Sequence, residues 1–173
     1  MKKEKLKKII KEVYPYFVIV LVVVLVRSFI ITPAIVDGKS MYPTLNDNNI
    51  VILNKLDYKI NGLKRFDIIV VDYNGEKLIK RVIGLPGEHI EYKNNMLFIN
   101  GYLTNENFNH DNTSNFKLET IGYLKIPGDK YFVVGDNRNH STDSRMIGLI
   151  DKKDIKGKVS LRLFPINKFG KIK

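Results

Sequence analysis

The hydrophobic pattern of the chain changes character once. From Tyr14 to Val26, thirteen consecutive residues are uncharged and almost wholly apolar; after Arg27 the run resumes through Ile31 and stops at Pro33. Beyond that point apolar residues come in short β-branched and aromatic segments, at 50–53, 66–73, 78–85, 89–92, 96–99, 131–134 and 159–164. Segments of this length bounded by turn residues predict strands. Lys93-Asn94-Asn95 and Asn100-Gly101 stand at hairpin positions, and Pro86-Gly87 and Pro127-Gly128 break strands at turns. The expectation is a mostly β domain with little helix outside the first run. Residues 104–120 are polar, asparagine-rich and weakly patterned, which predicts a long surface loop or an ordered insertion with little core; no function is legible in them.

A bilayer core takes about 20 helical residues. Residues 14–32 supply that length if Arg27 reaches outward to the interface, so they are expected to form one spanning helix. A cleavable signal peptide would have the same basic and apolar order, but no small-residue A-x-A site follows the run. The expected division is a basic cytoplasmic segment at 1–13, the anchor at 14–32 and one extracytoplasmic domain at 33–173. No internal repeat or long linker suggests a second one.

Charge supports this division. The chain is +11 overall, which calls for an anionic partner, nucleic acid or lipid. Lys2, Lys3, Lys5, Lys7, Lys8 and Lys11 against Glu4 and Glu12 give net +4 directly before the apolar run. That placement favours membrane lipid over nucleic acid and keeps the amino end in the cytoplasm. The remaining charge is scattered, with one run in the tail at Lys168, Lys171 and Lys173, as on a solvated face. The chain has no cysteine, which excludes disulfides, thiolate metal sites and a cysteine nucleophile.

Three segments carry candidate chemistry. In Gly38-Lys39-Ser40-Met41-Tyr42-Pro43-Thr44-Leu45 a serine sits at a bend between a glycine and a proline, though a serine there can equally bond its own backbone. In Lys77-Leu78-Ile79-Lys80-Arg81-Val82-Ile83-Gly84-Leu85-Pro86-Gly87 the surroundings are apolar enough to turn one basic side chain inward. Burial disfavours the ammonium, and moving a lysine from about 10.4 to about 8 costs around 3 kcal/mol. A neutral amine can take a serine's proton and later deliver it to a leaving amine, with no histidine. Strand alternation sends Lys80 and Arg81 to opposite faces. The third segment, Gly135-Asp136-Asn137-Arg138-Asn139-His140-Ser141-Thr142-Asp143-Ser144-Arg145, is denser in polar groups than a turn needs. Its charges can form a buried network, and Ser141 or Ser144 can hold the lysine amine.

In this order and behind an amino-terminal anchor, the three segments resemble the signature boxes of the bacterial type I signal peptidases, over nearly the whole chain. Arg65-Phe66-Asp67-Ile68-Ile69-Val70 is similar to the family's intervening box, with Phe66 where a glycine is usual. The resemblance implies a β catalytic domain, Ser40 as nucleophile and Lys80 as general base. It further implies Ser141 as the residue orienting the lysine, and Asp136, Asp143, Arg81 and Arg145 as supporting charges. Some members have a serine where this chain has Gly38, so the oxyanion donor is expected to be backbone, that of Ser40. It implies no cofactor and no metal. The substrates would be preprotein signal peptides emerging at the outer membrane surface, cut after A-x-A-like sites. Eight residues from Thr32 to Ser40 span at most about 27 Å, which keeps the nucleophile near that surface.

Other readings fit less well. Asn105, Asn107, Asn109 and Asp111 alternate like calcium ligands, but the twelfth position is Phe116 rather than glutamate. His89, His110 and His140 lack zinc spacing. No phosphate-binding glycine pattern precedes a helix. Self-cleaving repressor-type proteases share the chemistry but carry a DNA-binding domain in place of the anchor. The rival from another class is a non-catalytic membrane-tethered binding module that keeps the fold.

Overall fold

The computed structural model describes residues 2–172. Helix α1, Lys2–Phe29, contains an apolar stretch at Ile10–Phe29 of 20 residues with mean hydropathy 1.9, none of it buried against the protein. At 1.5 Å per residue this is about 30 Å, the thickness of a bilayer core. Pro15 lies inside the helix without ending it.

The helix stops three residues earlier than the sequence pattern predicts, because Ile31 and Thr32 belong to strand β1, Ile31–Ile35. They pair with Asn54 and Leu53 of β2, Ile50–Asn54. The helix carbonyls left over at its end are taken up locally. Thr32 Oγ1 donates to Arg27 O at 2.8 Å, Lys55 Nζ to Ser28 O at 3.1 Å, and Lys55 N to Ile30 O at 2.8 Å. Such capping offsets the unpaired carbonyls and the negative end of the helix dipole. Pro33, which donates no backbone hydrogen bond, is tolerated because β1 is an edge strand.

The remaining elements are α2 (Asp57–Asn61), β3 (Ile68–Tyr73), β4 (Glu76–Gly84), β5 (Ile90–Lys93), β6 (Met96–Ile99), β7 (Tyr102–Thr104), β8 (Phe116–Lys117), β9 (Lys130–Val134), α3 (Ser144–Ile147), β10 (Ile150–Asp151), β11 (Ile155–Phe164) and β12 (Gly170–Lys171). The expected mostly β domain is what forms. One antiparallel sheet runs β1-β2-β11-β3-β4-β9-β10, with β12 on β11; a smaller one runs β7-β6-β5-β8. Asn94-Asn95 and Asn100-Gly101 have left-handed backbones, as two-residue hairpin turns require.

Two packed clusters position the site. Val36, Met41, Leu45, Val51, Leu53, Ile68, Val70 and Val159 form one beneath the serine loop. Ile83, Phe132 and Val134 of the large sheet meet Ile90, Tyr92, Leu97 and Ile99 of the small one in the other. Covered in this way, β4 is buried from Lys80 to Gly84, so two adjacent cationic residues are forced inward.

Candidate active site

Ser40 lies in the loop from β1 to β2. Val36 N donates to Asn49 O and Asn48 N to Val36 O, closing the loop at its base. Met41 and Leu45 are 1% and 0% exposed, so burial of their side chains pins the segment that carries the half-buried serine. Leu45 N donates to Met41 O, making a single helical turn just after the serine. Gly38 N donates to Asp47 Oδ1 at 2.9 Å.

Lys80, paired with Ile69 across β3 and β4, reaches the loop: its Nζ is 2.8 Å from Ser40 Oγ. Its side chain is almost wholly buried. Burial pushes the ammonium pKa down to about 8, while the Asp143 and Asp136 carboxylates pull it back up in part. An amine near neutrality against a hydroxyl can accept its hydrogen bond and then its proton.

Arg81 takes a different set of partners, as alternation predicts. It grips Asp136 with two bonds, Nε to Oδ1 at 2.8 Å and Nη2 to Oδ2 at 2.7 Å, with both side chains excluded from solvent. Its Nη1 donates to Phe66 O at 2.9 Å. Phe66 has φ 70, a left-handed conformation that a bulky side chain disfavours, and β3 opens only at Ile68. A glycine would carry this backbone without strain. Here the phenylalanine ring packs edge-on against Phe108 at 5.3 Å.

Asp143 is fully buried and caps α3, accepting from Arg145 N. It also accepts from Arg145 Nε at 2.9 Å and Nη2 at 2.8 Å, and from Gly135 N at 3.1 Å. Ser144 does not serve the lysine. Its Oγ accepts from Val133 N at 2.9 Å inside the core. Ser141 Oγ is buried against Gly135 and makes no hydrogen bond among the described residues, to Lys80 or otherwise.

Sequence reasoning missed three side chains around this centre. Asn137 N donates to Ser40 O, and its Nδ2 to Lys39 O, each at 3.0 Å. Arg138 is buried and paired with Glu106, which comes from the 104–120 loop. The box density around Gly135 was a signal for the first two; nothing in the loop's pattern singles out Glu106.

Fold and site together are an antiparallel β-sheet domain that holds a serine hydroxyl against a buried lysine amine. The chain belongs to the signal peptidase family, peptidase S26, whose model matches residues 9–164. It is 42% identical over 168 residues to signal peptidase I of Bacillus caldolyticus, covering 91% of this chain and 92% of that protein. Signal peptidase IB of Staphylococcus aureus is 41% identical over 185 residues, covering 98% and 94%. A crystal structure of a signal peptidase I from Enterococcus faecalis V583 matches with TM-score 0.51 and 39% identity, over 56% of this chain and 95% of that one.

Proposed function

We propose that Ser40 and Lys80 carry out the peptide hydrolysis of this signal peptidase, a serine endopeptidase that removes signal peptides from secreted preproteins. The observation that carries the reading is the 2.8 Å contact between Ser40 Oγ and a buried amine whose pKa is lowered to about 8. Neutral Lys80 takes the hydroxyl proton as Ser40 Oγ attacks the scissile carbonyl. The resulting lysinium gives that proton to the departing α-amine of the mature protein. Water then attacks the acyl-enzyme, losing a proton to Lys80, and the signal peptide leaves as a carboxylate while Ser40 recovers its hydrogen. The Ser40 N–H faces the developing oxyanion. Asp136, Asp143, Arg81 and Arg145 hold the surrounding charges, and orienting the lysine is assigned to Ser141, whose buried hydroxyl makes no hydrogen bond among the described residues.

The apolar helix anchors the protein in the membrane, and the lysines preceding it orient the amino end to the cytoplasm. The domain after the anchor is then extracytoplasmic and meets preproteins as they emerge, with an A-x-A-like site extended along it.

The test is cleavage of a preprotein bearing an A-x-A site by the detergent-solubilised chain. Wild type cuts there, and Ser40→Ala and Lys80→Ala, each shown to be folded, lose about a thousandfold or more in kcat. Full activity in folded Lys80→Ala would overturn the dyad.

A further inference from the structure

Between β7 and β8 the chain leaves the small sheet and lies against the turn that follows β9. Asp111 N donates to Asp136 O at 3.1 Å. Glu106 Oε1 accepts from Arg138 Nη2 at 2.6 Å, and Thr113 Oγ1 accepts from Arg138 Nη1. The Glu106 and Arg138 side chains are 4% and 1% exposed, so this ion pair is sealed from solvent. Tyr92 OH donates to Glu106 Oε1 at 3.0 Å, and burial drives that hydroxyl's pKa up, which keeps it a donor. The Phe108 ring covers Arg81, 3.9 Å from Cζ to the ring centroid.

Charge gives Glu106 its importance. Three guanidiniums, Arg81, Arg138 and Arg145, face three carboxylates, Asp136, Asp143 and Glu106. The three guanidiniums are matched one for one only with Glu106 present. Without Glu106, Arg138 becomes a buried cation without its ion-pair partner, a costly state. The other carboxylate attracting it is Asp136, which already holds Arg81.

Arg138 in turn holds the turn around Asn137. Its Nε donates to Gly135 O at 3.1 Å, its N to Asp136 O at 3.1 Å, and its O accepts from Arg145 Nη2 at 2.7 Å. Asn137 then bonds Ser40 O and Lys39 O, while His140 Nδ1 stands 3.1 Å from its Oδ1. The Lys39 carbonyl and the Ser40 N–H belong to one planar trans peptide and point in opposite directions. Gripping Lys39 O therefore aims the Ser40 N–H.

We propose that Asn137 is the positioning residue for the Ser40 oxyanion donor, and that Glu106 of the 104–120 loop, acting through Arg138, holds Asn137 in place. The inference rests on the Ser40–Lys80 reading. It makes the loop part of the catalytic apparatus, felt in the transition state and not in the charge of the lysine.

The experiment compares the full chain with Asn137→Ala, Glu106→Gln and the double variant on a preprotein with an A-x-A site, with kcat counted per folded molecule from thermal unfolding. Ser40→Ala is the control. If it cleaves like wild type, the dyad reading fails and this inference fails with it. The expected result is a kcat lower by about 10- to 100-fold in Asn137→Ala and by a smaller factor in Glu106→Gln. KM stays within about twofold, the midpoint of the pH–rate profile does not move, and the double variant loses less than the product of the single losses. Should Glu106→Gln not fold, Glu106→Asp, which keeps the charge, replaces it and gives an intermediate loss. Unchanged kcat in folded variants, a loss expressed in KM or in a shifted midpoint, or losses that simply multiply would overturn the proposal.

Discussion

Gly135 lies so close to the nucleophile that a Cβ placed on it would stand 2.5 Å from Ser40 O, and 2.2 Å from Ser141 Oγ. Its φ lies outside the left-handed region, so crowding and not backbone freedom demands glycine. One of the colliding atoms is backbone and cannot swing away. Gly135→Ala is expected to push the serine loop off its position and lower kcat by about a hundredfold or more, as a misplacement of about 1 Å does. Gly128→Ala, where an added Cβ meets nothing within 4 Å, is the control and should cleave like wild type. Equal kcat in the two folded variants would show that the site tolerates the displacement.

The lysine predicts a pH profile. Only the neutral amine accepts the serine proton, so kcat/KM should rise tenfold per pH unit below about 8 and level off above it. Asp143 and Asp136 raise this pKa, so Asp143→Asn should move the midpoint to lower pH. A steady-state pH series on folded variants checks both directions.

The same group acts on stability with the opposite benefit. Its folded pKa of about 8 lies below the unfolded value near 10.5, so between those two values the unfolded chain binds more protons. Stability therefore rises with pH from about 8 to about 10.5, and the full cost of burying the ammonium is carried below 8. Lys80→Met should abolish that slope and be more stable at pH 7 by up to about 3 kcal/mol. Denaturant unfolding at pH 7 and pH 10 reads the difference, and a slope retained in the variant would assign it to another group.

The Arg81–Asp136 pair is expected to be asymmetric under mutation. Asp136→Asn leaves a guanidinium in a site sealed from solvent and should cost about 3–5 kcal/mol. Replacing both residues with apolar ones of similar volume should cost less than that, since no charge is left unpaired. Unfolding free energies of the single and double variants decide it.

At Phe66 the backbone and the ring pull in opposite directions. Phe66→Ala keeps the positive φ and loses the contact with Phe108; Phe66→Gly loses the contact and relieves the backbone. The glycine variant should therefore be more stable than the alanine variant by about 1 kcal/mol, although both fall below wild type. The reverse order would mean that the loop shifts on mutation to a conformation alanine accepts.

Much of this was legible because strands and the site share one grammar. Alternation along 78–85 assigns Lys80 and Arg81 to different partners, and the three boxes carry Ser40, the lysine and the charged turn. Strand β1 was hidden because Ile31 and Thr32 are as apolar or β-branched as the helix before them, and pairing with β2 overrides the local pattern. Strands β8, β10 and β12 have two residues each, too few for any period. The pairing of Glu106 with Arg138 joins positions 32 residues apart through a loop without pattern. Asn137 works on backbone carbonyls, which look the same in every sequence.

The carbonyls at the end of α1 are bonded to Thr32 and to Lys55, side chains of the domain that carries the serine. The last carbonyls of the helix are thus bonded to the domain that follows it. A bilayer thicker than the apolar stretch of a helix thins locally around it while flanking residues snorkel, and in a thinner bilayer the helix tilts. One residue separates the helix from β1, so such an adjustment meets a strand of the large sheet directly and not a linker.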